Sequence, residues 1–167
     1  GGMIAQYLAM DYPELVEKLV LGVTLSKQNE TVENVIKKWI QFAENNDLEG
    51  FVEDMLLKMY SPEYIRKYRL LIPVIVKMSK KADLKRFVIL AKSCLTCNTY
   101  KKLHKITCPV LVLGGKQDKV VTGEASEEIA QKLQCEIYMY EELGHAAYEE
   151  AKDFNERICK FLEKSQK

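Results

Sequence analysis

Residues 110–118 of this chain read Val-Leu-Val-Leu-Gly-Gly-Lys-Gln-Asp, a continuous apolar run that ends in glycines and a carboxylate. Such a run is typical of a parallel strand covered on both faces. We predict a strand over Val110–Leu113 and a tight turn at Gly114-Gly115, with Asp118 displayed just beyond the strand. A Gly144-His145 pair follows a second strand-like run. An aspartate and a later histidine in such places are candidates for the acid and base of a hydrolytic triad.

The flanking sequence alternates between helix and strand patterns. A buried helix is predicted over Met3–Met10, ending before Pro13, and an apolar strand over Leu19–Val23. This order is the second half of a βαβ unit, whose first strand is not in the chain. The predicted elements after residue 118 are a helix over Gly123–Leu133, a strand over Cys135–Tyr140 and an amphipathic helix over Tyr148–Leu162.

Between Ser26 and His104 the apolar residues recur at helical spacing throughout. Thr31, Asp47 and Ser61 are the predicted N-caps of three helices, the last with Pro62 at its first position. Pro73 is predicted to kink or split the third helix. A further helix is predicted from about Ala82. The class is therefore α/β, with about three parallel strands, flanking helices and a helical insertion.

Composition narrows the function classes. The 167 residues have a formal net charge of +1, and basic residues alternate with acidic ones, so we predict no nucleic-acid partner. No apolar run approaches the ~20 residues of a membrane span, and no signal-like segment is seen. We predict a cytoplasmic protein that takes a small-molecule substrate, with no cofactor, no metal and no membrane contact.

The five cysteines are an odd number scattered among apolar neighbours, which favours a reducing compartment over a disulfide framework. Cys94 and Cys97 have CxxC spacing, but no second CxxC and no paired histidine accompany them. We therefore predict buried or half-buried thiols rather than a zinc or redox site. His104 lies among lysines and is predicted to be exposed. Gly114-Gly115-Lys116 lacks the spacing of a phosphate loop.

Five segments, in order, resemble the C-terminal half of the α/β-hydrolase superfamily, and specifically its cap-bearing esterase, enol-lactonase and haloperoxidase-like members. The first, Gly1-Gly2-Met3-Ile4-Ala5-Gln6, resembles the helix start that follows a G-x-S-x-G-G nucleophile elbow. The last, Gly144-His145, resembles the histidine loop after the eighth strand. The other three are residues 12–21 (the passage into the sixth strand), residues 26–104 (a helical lid) and residues 103–118 (the seventh strand and the acid turn).

This resemblance implies a serine-type hydrolase of small esters, lactones or similar carbonyl compounds. His145 would be its general base and Asp118 its orienting acid. The nucleophile would lie just before Gly1, so the chain would be a piece of a longer enzyme and inactive alone. Two alternatives stay open. The first is another enzyme of the same fold, either a dehalogenase or epoxide hydrolase with an Asp nucleophile or a C–C lyase. The second is a non-catalytic interaction module.

The same resemblance divides the chain into a core of residues 1–25 and 105–167 and a helical lid of residues 26–104. With only the last three strands of a larger sheet present, Leu19–Val23 would lie at an open edge. Unpaired strand edges invite pairing with another chain. We therefore expect self-association through Leu19–Val23 or through the first helix.

Overall fold

A computed structural model describes residues 1–79 and 83–164 of the chain. Its centre is one sheet of three parallel strands in the order β1-β2-β3, which confirms the predicted fold class. Every residue of β2 is buried, because this strand lies between its two neighbours and under helices on both faces. The strands are β1 (Leu19–Gly22), β2 (Val110–Gly115) and β3 (Glu136–Tyr140).

Helices cover both faces of the sheet, as a buried parallel sheet requires. On one face α1 and α7 pack over Leu21 and Val112, and on the other α9 packs over Leu111 and Leu113. The α-helices are α1 (Gly2–Asp11), α2 (Glu30–Glu44), α3 (Leu48–Met59), α4 (Pro62–Tyr68), α5 (Ile72–Ser79), α6 (Leu84–Cys94), α7 (Gly123–Leu133), α8 (Ala147–Glu150) and α9 (Phe154–Glu163). Short 3-10 turns lie at Pro13–Leu15, Arg69–Leu71 and Tyr100–Lys105.

The segment between β1 and β2, which we call the helical insertion, contains α2 to α6. Its core of Trp39, Phe51 and Val52 is continuous with Val120 and Val121, which follow Asp118. The insertion therefore packs on the loop that carries the predicted acid. None of the helices in the described part of the chain is long and apolar enough to cross a membrane.

The structure corrects several predicted boundaries. The N-cap of α2 is Asn29 rather than Thr31, and its side chain accepts a hydrogen bond from the Val32 amide at 2.9 Å. The predicted split of the third helix at Pro73 is confirmed, because the helical run is divided into α4 and α5 by the 3-10 turn Arg69–Leu71, which directly precedes Ile72 and Pro73. A proline removes the hydrogen bond to the carbonyl four residues earlier, here that of Arg69, and is tolerated in the first turn of α5. The helix predicted from about Ala82 is α6, which is capped by Asp83; Ala82 itself lies outside the described residues.

Two further corrections concern the ends of strands and helices near the C-terminus. Gly114 and Gly115 do not form the predicted turn, because both continue β2 opposite Met139 and Tyr140 of β3. The predicted final helix is divided into α8 and α9 between Glu150 and Phe154. The predicted caps Asp47 and Ser61 are confirmed, with bonds from the Gly50 and Tyr64 amides.

Candidate active site

Asp118 and His145, 27 residues apart in sequence, are joined by a hydrogen bond of 2.8 Å between His145 Nδ1 and Asp118 Oδ2. A carboxylate only accepts hydrogen bonds, so Nδ1 carries a proton, and in the neutral imidazole this leaves Nε2 as an acceptor. The other carboxylate oxygen, Oδ1, accepts bonds from the Val120 and Val121 amides at 2.7 and 2.9 Å. These bonds fix the carboxylate and, through it, the orientation of the imidazole.

Burial differs sharply between the two partners. The Asp118 side chain is 1% exposed, whereas 20% of the His145 side chain is accessible. Because the carboxylate is shielded from water, its bond to the imidazole is stronger than an exposed pair would be. The arrangement presents one basic nitrogen to the surface and hides the group that orients it.

The two loops meet because β2 and β3 are parallel neighbours whose carboxyl ends lie at the same edge of the sheet. The Lys116 amide donates to the Tyr140 carbonyl and the Gln117 amide to the Leu143 carbonyl, each at 2.9 Å. These bonds continue the strand pairing beyond Gly115 into the acid turn. The histidine loop that follows β3 is thereby held beside the aspartate.

Glycine is required at the end of β2 by close approach, not by an unusual backbone angle. A Cβ at Gly115 would overlap the Gly144 carbonyl oxygen and lie 2.5 Å from that of Leu143. A Cβ at Gly114 would lie 2.6 Å from the sulfur of Met139 and 2.7 Å from Cβ of Ser126. Gly115 therefore lets the histidine loop pack directly on the strand, and Gly114 makes room for Met139 of β3 and Ser126 of α7.

A cavity of about 440 Å³ opens beside His145. It is lined by the start of the chain, by the loop after β1 and by residues that follow Asp118 and His145. Its walls include Gly1, Gly2, Val23, Val121 and Tyr148. Residues from the start of the chain and the exposed imidazole therefore share one mostly apolar space.

Two β-branched residues have a backbone conformation that such residues rarely adopt: Val23, which lines this cavity, and Thr122, which directly follows its lining residue Val121. Val23, at the end of β1, has φ 41°, and Thr122, before α7, has φ 73°. A conformation of this kind costs about 1–3 kcal/mol and persists only where the surrounding structure enforces it. Val23 is held by a 2.8 Å bond from its amide to the Leu113 carbonyl.

Hydrogen bonds tie the helical insertion to the turn that carries Asp118 and to the loop that carries His145. Asn29 Nδ2 donates to the Val121 carbonyl at 3.1 Å, next to the amides that hold Asp118. The amide of Ala146, which directly follows His145, donates to the Met59 carbonyl at 2.8 Å. The start of α2 thus holds the acid turn and the end of α3 holds the histidine loop.

Side chains strengthen the connection between the end of α3 and the histidine loop. Tyr60 donates its hydroxyl to Glu149 at 2.6 Å, and Ser61 donates its hydroxyl and its amide to Glu150 at 2.5 and 3.0 Å. Burial, followed by the bond to Glu149, raises the pKa of Tyr60 above its ordinary value of 10.0. The Tyr60 hydroxyl therefore stays protonated, and remains a hydrogen-bond donor, around neutral pH.

The remaining residues singled out in the sequence lie away from the Asp118–His145 pair, with one exception. His104 is exposed, as predicted. Cys97 is buried and Cys94 half-buried, which confirms the predicted burial, and burial raises the pKa of both thiols. Cys94 nevertheless lines the cavity beside His145, which its sequence spacing gave no reason to expect.

Sequence reasoning missed Asn29, Met59 and Tyr148 as parts of the site. Asn29 had a usable signal, because asparagine is among the best N-caps and stands just before an acidic first turn. Met59 acts through its carbonyl group, so no side-chain pattern marks it.

Known proteins share this architecture. A family model described as "Serine aminopeptidase, S33" matches residues 1–152. A 2-hydroxy-6-oxononadienedioate/2-hydroxy-6-oxononatrienedioate hydrolase from Pseudomonas sp is 24% identical over 97% of this chain. The chain spans 60% of the length of that relative.

Solved structures agree on the fold. MGS-M2, an α/β hydrolase from a Medee basin deep-sea metagenome library, matches 100% of this chain and 63% of its own with a TM-score of 0.88 at 21% identity. The enol-lactonase from Burkholderia xenovorans LB400 matches 98% of this chain and 62% of its own with a TM-score of 0.84 at 16% identity. The match to the family model covers most of the sequence, and the chain belongs to the serine aminopeptidase S33 family of α/β hydrolases.

Proposed function

We propose that this chain supplies the general base and the orienting acid of a serine-type hydrolase of small esters, lactones or similar carbonyl compounds. The observation that carries the proposal is the 2.8 Å bond between His145 Nδ1 and the buried Asp118 carboxylate. In this arrangement Nε2 of His145 accepts the proton of an attacking hydroxyl and later returns it to the leaving group. Asp118 keeps the imidazole in the required tautomer and stabilises the imidazolium that forms.

The nucleophile, in this proposal, lies two residues before Gly1, which is then the last glycine of the G-x-S-x-G elbow. Gly1 and Gly2 line the same cavity as His145, and α1 begins at Gly2. The amino end of a helix favours negative charge, which suits the alkoxide and oxyanion that develop during acyl transfer. The chain alone would then hydrolyse nothing by this route, because it holds the base and the acid without the attacking group.

The apolar lining of the cavity supports an uncharged or partly apolar substrate. Val23, Leu25, Val32 and Ile36 contribute to its walls, and α2 covers it from the side of the helical insertion. The Pseudomonas relative is named as a hydrolase of oxo-dienedioate and oxo-trienedioate compounds, which supports the hydrolase class but not an uncharged substrate, because a dioate carries two carboxylates. The helical insertion would act as the lid over the substrate.

The test joins this chain to the segment that precedes Gly1 in its gene and assays p-nitrophenyl acetate and butyrate. We expect turnover that falls by about 10²–10⁴-fold in His145→Ala and in Asp118→Asn. His104→Ala is the matched control, because it removes the other histidine of the chain at an exposed position. Its rate should equal that of the unaltered protein.

A fluorophosphonate label separates the enzymatic alternatives in the same preparation. Labelling of a serine just before Gly1 supports the proposal. Turnover that needs His145 but leaves no labelled serine would instead indicate a carboxylate nucleophile. Absence of both turnover and serine labelling in the folded, joined protein would overturn the catalytic proposal in favour of an interaction module.

A further inference from the structure

A second concave surface, separate from the cavity beside His145, lies between α3, α4, α5 and the acid turn. Its volume is about 570 Å³. We call it the cationic groove, after the three basic residues in its lining: Arg66, Arg69 and Lys119. It shares no lining residue with the cavity beside His145.

The three cations of the groove have no acidic partner. In this they differ from basic side chains such as Lys58, which pairs with Asp54, and Lys116, which pairs with Glu127. Across residues 1–79 and 83–164, no ion pair involves Arg66, Arg69 or Lys119. All three are exposed. Their charges are therefore available to a ligand.

The rest of the groove is mostly apolar. Leu57, Ile65 and Ile72 line it, with Tyr60 and Pro62 at the side nearest the histidine loop. Glu53 is its one acidic lining residue, so the lining carries a net charge of +2 (three basic residues minus one acidic). A surface that combines unpaired guanidinium groups with the exposed Leu57 and the half-buried Ile65 and Ile72 suits a ligand that has one anionic end and one apolar end.

The guanidinium groups and the aliphatic lining together suit a carboxylate that carries an alkyl chain. A guanidinium group binds a carboxylate with two parallel hydrogen bonds, which gives both strength and direction. Inorganic phosphate is also attracted by the net charge of +2, but it has no apolar part to cover the aliphatic side chains of the groove. We propose that the cationic groove is a binding site for an amphipathic monocarboxylate, with the carboxylate at Arg66, Arg69 and Lys119 and the alkyl chain on Leu57, Ile65 and Ile72.

The position of the groove connects it to the Asp118–His145 pair. Lys119 directly follows Asp118, and Tyr60 both lines the groove and hydrogen-bonds to Glu149 of the histidine loop. A ligand in the groove therefore contacts the two segments that hold the acid and the base. Binding itself does not depend on the proposed catalytic activity, so the two proposals fail separately.

The test titrates the 167-residue chain with sodium octanoate and follows amide chemical shifts by NMR and heats by calorimetry. We expect saturable binding, with the largest shifts at Arg66, Arg69 and Lys119, that weakens as salt is added. Octylamine and 1-octanol should bind much more weakly because they lack the carboxylate. Inorganic phosphate should also bind much more weakly because it lacks the alkyl chain.

Charge variants assign the binding to the groove. Arg69→Gln and Arg66→Gln should each weaken octanoate binding about three- to fivefold, which is the upper range for an exposed ion pair. Glu53→Gln should strengthen it by about twofold, since it removes the one repelling charge. Lys67→Gln is the matched control, because Lys67 lies between the two arginines, packs over the Tyr68 ring and does not line the groove.

Three results would overturn the proposal that the cationic groove binds an amphipathic monocarboxylate. Octanoate affinity that is the same in Arg69→Gln, Arg66→Gln and Lys67→Gln would remove the groove as its site. Shifts centred on His145 and Tyr148 would place the ligand in the other cavity. Equal binding of 1-octanol or of phosphate would show that the surface does not select an amphipathic carboxylate. Unfolding midpoints of the variants verify that each remains folded.

Discussion

Gly115 packs directly against the carbonyl group of Gly144, so that the last residue of β2 is in contact with the residue before His145. This contact sets the separation between the strand that leads to Asp118 and the loop that carries the base. Because the obstructing atoms are backbone oxygens, no side chain can move aside to make room for a larger residue at position 115.

Gly115→Ala is expected to destabilise the fold by about 1–3 kcal/mol, the usual cost of overpacking. It should also displace the histidine loop, which would weaken the bond between His145 and Asp118. Urea unfolding measures the first effect, and the NMR signal of the His145 Nδ1 proton measures the second. Gly1→Ala is the control, since a Cβ there meets nothing within 4 Å. Equal stability of the two variants would show that the close approach is not rigid.

Asn29 serves two elements at once, and two substitutions separate its roles. Its Oδ1 caps α2 at Val32, while its Nδ2 donates to the Val121 carbonyl in the acid turn. Asn29→Asp keeps the cap and removes the donor, whereas Asn29→Ala removes both. We expect Asn29→Ala to lower the free energy of unfolding by about 1–2 kcal/mol and Asn29→Asp by about 1 kcal/mol or less.

Amide hydrogen exchange extends this test to the acid turn. Both substitutions should speed exchange at Val120 and Val121, whose amides hold Asp118. Unchanged exchange in Asn29→Asp, together with faster exchange in Asn29→Ala, would mean that only the helix cap matters to this turn.

The sequence was sufficient to predict the elements that show apolar periodicity. It was insufficient for elements whose bounds are set by contacts with distant parts of the chain. The buried run at residues 110–113 predicted β2, and the capping pattern at Ser61-Pro62 predicted α4. The extension of β2 through Gly115 was not predictable from glycine content, because it depends on pairing with Tyr140 in β3. The ties from Met59 and Asn29 to the candidate site were also missed, since contacts over long sequence separations leave no local pattern.

Asp54 gives the helical insertion a pH-dependent anchor. Partial burial alone would raise its pKa, but hydrogen bonds from Lys38, Lys58 and Trp39 outweigh burial and lower the pKa below the ordinary value of 3.8. A lowered pKa in the folded state means that the carboxylate stabilises the fold fully above pH 3.8. This contribution is lost as the pH falls below 3.8 through the folded-state pKa.

Asp54→Asn is therefore expected to be less stable than the unaltered chain near neutral pH, and the difference should narrow below pH 3.8. Urea unfolding across this pH range measures it. Glu44→Gln, which breaks an exposed ion pair with Lys92, should change stability by about 0.5 kcal/mol or less. A difference between Asp54→Asn and the unaltered chain that is constant with pH would exclude the carboxylate as the origin.

The 167-residue chain studied alone is expected to self-associate, and the exposed face of α1 is the region we propose for the contact. Ile4 is 74% exposed and Leu15, just after α1, is 67% exposed. Within the described residues β1 pairs only with β2, so its other edge presents free backbone groups beside this apolar face. Burial of such a face removes apolar surface from water, which favours association.

Ile4→Lys and Leu15→Lys should shift the chain toward monomer in light scattering at micromolar concentration. Leu162→Lys is the control, because Leu162 is also exposed, at 48%, but lies on α9. A chain that is already monomeric before substitution would contradict the prediction. So would an oligomer that responds to Leu162→Lys but not to Ile4→Lys, because the contact would then lie on the opposite face of the sheet.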